Sequence, residues 1–141
     1  MSIKALPPME HTFHIDIKGS NTGQKWDGNF TYKRPNLRAQ SEIAKTAARL
    51  NEDLKNIDES MAFLHNVLAS LRHSIVESPE WWKQSDYGFE LYDTNVVLDI
   101  YKACQEFEDE WFAKVWGDED KKEDKKKEDK KKEDQKEEVK E

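Results

Sequence analysis

The chain has 141 residues, of which 38% are charged, and a formal net charge of −7. Residues 118–141 hold 10 Lys and 12 Asp+Glu, which leaves −5 on residues 1–117. That length fits one domain with its own core. The net-acidic body argues against duplex nucleic acid as the main partner, because phosphate binding needs a concentrated basic surface. Cys104 is the single cysteine, so no internal disulfide forms, which fits a reducing compartment. The opening "MSIKALPPMEH" lacks a signal-peptide core and no apolar run approaches membrane-spanning length, so a soluble, cytosolic protein is expected.

In chain order, "HTFHIDI" alternates, with Phe13, Ile15 and Ile17 on one side and His14 and Asp16 on the other. After the turn-rich "KGSNTG" the alternation returns in "KWDGNFTYKR", with Trp26, Gly28, Phe30 and Tyr32 in phase. Two period-2 runs around such a loop predict an antiparallel hairpin over about 11–34 with one buried face. Gly28 on that face marks a bulge or a close approach by another backbone.

From Ile43 the period changes. Ile43, Ala47, Leu50, Leu54 and Ile57 step by helical intervals, and Met61, Leu64, Leu68, Leu71 and Ile75 continue them. "NEDLKNIDES" interrupts the run with turn and cap residues, Asn56 and Asp58 among them. The reading is two helices, about 36–54 and 59–77, folded back or bent at 54–58; one unbroken helix is the alternative. Pro79 is expected to stop the second helix, leaving "PEWWKQSDYGFELYD" as an aromatic-rich connection. A last helix spans about 94–116, capped by Asp93 or Thr94, with a stripe of Val97, Ile100, Cys104, Phe107, Trp111 and Val115. The fold class is therefore α+β: an N-terminal hairpin packed on a three-helix body, residues 1–117. A low-complexity charged tail, 118–141, follows. Its five-residue "KKEDK" repeat fits no helical period, and it has too little apolar surface to offset its ordering entropy, so it is expected to be disordered.

Chemical motifs are scarce. His11 and His14 are three apart on a strand and face opposite ways, so they cannot share a metal ion. His65 and His73 have no third ligand at suitable spacing, and Cys104 sits on an apolar stripe among acidic neighbours rather than near a base. No phosphate loop and no Ser–His–acid grouping stands out. No catalytic residue, metal site or cofactor is expected, and the chain reads as a non-enzyme. What remains is binding surface. Lys33, Arg34 and Arg38 concentrate positive charge around Pro35, either as an ordinary solvated junction or as a contact for an acidic partner or a second copy. Trp81, Trp82, Trp111 and Trp116, with Phe89, Tyr92 and Phe112, either pack a core or form a partner face. Adjacent residues of an extended segment point opposite ways, so one of Trp81 and Trp82 is expected inside and the other at the surface.

"GNFTYKRPNLRAQSEIAKTAARLN" resembles the strand, Arg-Pro-x-Leu junction and helix of tail assembly chaperones from long-tailed bacteriophages. "MAFLHNVLASLRHSIVESPEWW" resembles their helix ending in Pro-x-Trp-Trp, and "LYDTNVVLDIYKACQEFEDEWF" their acidic turn and last helix. The resemblance covers about residues 26–112. It implies a non-catalytic morphogenesis factor of the host bacterial cytoplasm. Such a factor binds the tape measure protein, keeps it soluble and extended, and is displaced as tail-tube subunits polymerise. No nucleic acid or membrane partner is implied, and several copies along one chain suggest a homo-oligomer. The contact residues expected on this reading are Trp81, Trp82, Phe89, Tyr92 and Trp111, with Arg34 and Arg38 for copy-to-copy contact. The alternatives are a virion structural or adaptor protein and a small non-catalytic regulatory binding protein.

Overall fold

The computed structural model describes residues 6–52 and 58–117. Seven elements follow in order: β1 (Glu10–Lys18), β2 (Lys25–Lys33), α1 (Leu37–Asn51), α2 (Glu59–Ser74), β3 (Ile75–Glu77), α3 (Glu80–Gln84) and α4 (Thr94–Trp116). The class is α+β, with a three-stranded antiparallel sheet in the order β1-β2-β3. The charged tail, and Leu54 and Ile57 of the helical run, lie outside the described residues.

The hairpin pairs without a slip from Glu10↔Lys33 to Lys18↔Lys25. Ile15, Phe30 and Tyr32 are buried on one face. The other face carries polar pairs: Thr12 and Thr31 hydroxyls at 2.8 Å, and His14 Nδ1 to Asn29 Oδ1 at 2.8 Å. This is what a period of two produces when one sheet face meets a core. Gly28, opposite Ile15, makes the close approach, and to a side chain: a Cβ there would come within 2.2 Å of Pro79 Cγ.

The Asn36 side chain caps α1 by accepting from the Ala39 amide at 2.9 Å, and Asp58 caps α2 by accepting from the Ser60 amide at 3.0 Å. Thr46 Oγ1 lies 2.7 Å from His73 Nε2, and Asn51 Oδ1 lies 2.8 Å from His65 Nδ1. The later residue of α1 meets the earlier one of α2, so the helices fold back antiparallel and the unbroken helix is set aside.

α2 stops at Ser74, not at Pro79. Ile75 and Val76 are β-branched, β2 offers an open edge, and Ile75–Glu77 pairs with it through Tyr32↔Ile75 and Thr31↔Glu77. Pro79 instead precedes a short helix, α3, at the N-cap position, where its missing N–H costs nothing.

The described residues fall into two units, 8–107 and a second that combines residues 6–7 with 108–117. The core of the first joins Ile15, Phe30 and Tyr32 of the sheet to Val67, Leu68 and Leu71 of α2, Trp82 of α3, and Val96, Val97, Ile100 and Cys104 of α4. In the second, Trp111 Nε1 donates to the Pro7 carbonyl at 3.3 Å, and the Phe112 and Trp116 rings lie 5.9 Å apart.

Candidate functional site

The expected split of the two adjacent tryptophans into an inner and a surface ring is met only in degree: α3 replaces the extended segment, and both rings pack on the core, 6.2 Å from each other. Trp82 is 0% exposed and meets Phe30 edge-on at 5.6 Å. Its indole N–H has no hydrogen-bond partner among the described residues. Trp81 is half-buried against Trp26 at 4.8 Å and Phe30 at 5.7 Å, and its N–H donates to the Asp27 carbonyl at 2.8 Å. Trp81 thus packs on the loop-side half of β2, with its polar atom engaged.

After α3 the chain makes an unusual turn. Asp86 and Tyr87 are both left-handed, at φ 52° and 55°, and Gly88 follows at φ 90°. Such a conformation costs a non-glycine residue on the order of 1 kcal/mol or more, and surrounding contacts must hold it. Several do. The Tyr87 amide donates to the Trp82 carbonyl at 3.0 Å, and the Ser85 hydroxyl donates to the same carbonyl at 2.8 Å. The Gly88 amide donates to Ser85 Oγ at 3.1 Å, and the Glu90 amide to the Ser85 carbonyl at 2.9 Å. Gly88 lies directly on the Trp82 ring, where a Cβ would come within 2.4 Å of Cη2. Buried Trp82 is therefore the inner support of a turn that carries Tyr87 and Phe89 at the surface.

Tyr87 and Phe89 form one wall of a cleft against α1 and α2. Thr46, Leu50, Leu68, Arg72 and Asp86 complete it, around a volume of about 80 Å³. Phe89 is 48% exposed and its ring stacks on His65 at 6.3 Å. Arg72 lies over the Tyr87 ring at 5.2 Å and 3.6 Å from the Asp86 carboxylate. The cleft floor is apolar and its rim carries a charge pair, which suits an apolar side chain presented by a polypeptide.

Tyr92 is 76% exposed but is absent from the cleft lining; its carbonyl accepts from Asn21 Nδ2 at 3.3 Å, beside the hairpin loop. Trp111 is buried and belongs to the other unit. Arg34 is half-buried, with its amide donating to the Met9 carbonyl at 2.9 Å, whereas Arg38 is exposed in the first turn of α1. Of the sequence-derived contact residues, only Phe89 falls in the cleft. Tyr87, Leu50, Leu68 and Arg72 were not singled out, because nothing local marks them: α1 and α2 must fold back before they converge.

A second grouping centres on Asp93. Its Oδ1 accepts from the Asn21 and Thr22 amides, each at 2.8 Å, and its Oδ2 from the Thr22 hydroxyl at 2.6 Å and Trp26 Nε1 at 2.9 Å. Asn95 Oδ1 accepts from the Ser20 amide at 2.9 Å, while its Nδ2 donates to the Lys18 carbonyl at 3.0 Å. The Thr22 hydroxyl, the Thr22 and Asn21 amides and the Trp26 indole together lower the Asp93 carboxyl from 3.8 to about 2, against the opposing effect of burial. Asp93 stands where an α4 cap belongs, but its carboxylate ties the hairpin loop to that helix instead. This grouping is saturated by its own chain, so it holds the fold and offers no open site.

Among the described residues no three His, Cys, Asp or Glu side chains gather as metal ligands, and no helix is long and apolar enough to cross a membrane. Comparison with protein-family models, curated proteins and solved structures finds no match for this chain.

Proposed function

We propose that the protein is a non-catalytic binding protein that acts as a phage tail assembly chaperone. It holds apolar side chains of the tape measure protein in the cleft between α1, α2 and the 85–91 turn, and releases them as tail-tube subunits polymerise in the host bacterial cytoplasm. The observation that carries the binding reading is the strained turn itself. Two left-handed residues braced on a buried tryptophan place Tyr87 and Phe89 on the surface over an apolar floor. The phage setting rests on the sequence resemblance. A helical partner laid in such a groove gains affinity from a few buried apolar anchors, while the acidic body keeps the complex in solution.

The contact face centres on Phe89 and Tyr87, with Trp81 and Tyr92 at neighbouring positions of the chain. Trp82 and Trp111 are buried, so their part is packing. Arg34 and Arg38 are retained as copy-to-copy residues. The test is co-expression of this protein with a tape measure fragment, scored by how much fragment stays soluble. Phe89→Ala should lower that amount severalfold while the thermal midpoint stays within a few degrees of the parent. An unchanged yield with the Phe89→Ala/Tyr87→Ala double variant, still folded, would remove the proposal.

A further inference from the structure

Among the described residues β1 is an edge strand whose only neighbour is β2. Two bonds set the phase of its ladder: the Arg34 amide donates to the Met9 carbonyl at 2.9 Å, and the Gly19 amide to the Gln24 carbonyl at 2.8 Å. Bonded and non-bonded positions alternate in an antiparallel pair. His11, Phe13, Ile15 and Ile17 therefore turn their backbone groups to β2, while Glu10, Thr12, His14, Asp16 and Lys18 turn theirs outward. The Lys18 carbonyl is met by Asn95. The outward amides and carbonyls of Glu10, Thr12, His14 and Asp16 meet no other described residue.

Edges of this kind are ordinarily blunted by short length, a proline, a bulge or an inward-pointing charge. β3, the other edge, has three residues. β1 has nine, an unbroken register, and neither Pro nor Gly. It is a long edge with a regular register, and its charges, Glu10, Asp16 and Lys18, restrict which strand it accepts.

We propose that β1 pairs with β1 of a second copy, antiparallel about a two-fold axis at His14, joining two sheets into one. Charge selects this occupant and this register. With His14 opposite His14, Glu10 of each copy faces Lys18 of the other, and Thr12 faces Asp16. On the apolar face, Phe13 faces Ile15 and extends the buried surface across the junction. A shift of two residues one way opposes Glu10 to Asp16; the same shift the other way carries Glu10 past the end of the strand. A one-residue shift puts apolar side chains on the polar face. The pairing is symmetric and closes on itself, so it yields a dimer and not a fibre. This inference is independent of the chaperone reading and of the α1–α2 cleft.

Sedimentation of the full chain over a range of concentrations tests it. A reversible dimer is expected. Glu10→Lys or Lys18→Glu alone creates like-charge contacts at both ends and should raise the dissociation constant about tenfold. The double swap should restore the parent value. His14→Pro removes the outward N–H at the axis without touching the β1–β2 ladder, and should give a monomer with an unchanged circular dichroism spectrum. His14→Cys should give a covalent dimer on oxidation, because opposed bonded positions lie about 5.5 Å apart, within disulfide reach. Cys104 is buried and does not compete. A chain that stays monomeric at every concentration overturns the proposal, as does a dimer indifferent to His14→Pro, or single reversals that the double swap does not rescue.

Discussion

The Asp93 junction and the Phe89 cleft are both built from the 80–95 segment, and they are opposites. At Asp93 the carboxylate oxygens are filled by donors from the hairpin loop, and nothing is left to offer. At Phe89 the backbone is strained, the ring is half-exposed, and apolar surface stays open beside it. A saturated polar network specifies one arrangement and resists change. An apolar wall propped in a costly conformation is stable only because something beneath it holds it, and that something is Trp82.

Removing the prop should break the contrast most strongly. Trp82→Ala leaves a large cavity among Phe30, Gly88 and the rest of the core, and should cost about 3–5 kcal/mol in denaturant unfolding. The same variant should lose partner binding, because the turn presenting Phe89 loses its support. Retained binding in a destabilised Trp82→Ala protein would show that the turn is held by its own hydrogen bonds.

The saturated side is sharpened by pH. Asp93 is held at about 2 against an ordinary value of 3.8, so the ionised form favours the folded state. Its contribution is complete above the ordinary value and is lost as pH falls toward about 2. Asp93→Asn should be less stable than the parent near neutral pH, and the difference should shrink through that window as the parent protonates. Parallel unfolding curves for the two proteins down to pH about 2 would contradict the role assigned to the carboxylate.

The smallest effect belongs to the rim of the cleft. Arg72 and Asp86 are each about half exposed, so water and salt screen their 3.6 Å contact. Arg72→Met should change stability by no more than about 1 kcal/mol, including the lost contact with the Tyr87 ring. Added salt should reduce the difference further. A larger loss would mean that the charge pair, and not Trp82, props the turn.

Much of the fold was legible. The period-2 runs around "KGSNTG" gave the hairpin and its buried face, because alternation is a local property that burial on one side must produce. The heptad-like run gave helical structure from Ile43 onward, with Asp58 as a cap. The boundary at Ser74 was not legible, because Ile75 fits the helical stripe and leaves it only for an edge that β2 supplies. The cleft was legible in one residue, Phe89. Its other residues come from three separated segments, and no spacing rule links Leu50, Leu68 and Tyr87.

The sequence alone settled the α+β class, the hairpin, the amphipathic helices and the presence of more large rings near residues 81–92 than a bland connection needs. It did not settle how Trp81 and Trp82 divide: both rings meet Phe30, at 5.7 and 5.6 Å, because a helical turn and not an extended segment carries them. Only the tertiary structure decided that Trp82 is fully enclosed while Trp81 is half-buried beside it, that Asp93 serves the hairpin loop rather than its own helix, and that the 85–91 turn meets α1 and α2 in a cleft. The reason is common to all three. Each depends on a partner distant along the chain: Gly28 receiving Pro79, Thr22 and Trp26 reaching Asp93, and α1 folding back to complete the cleft.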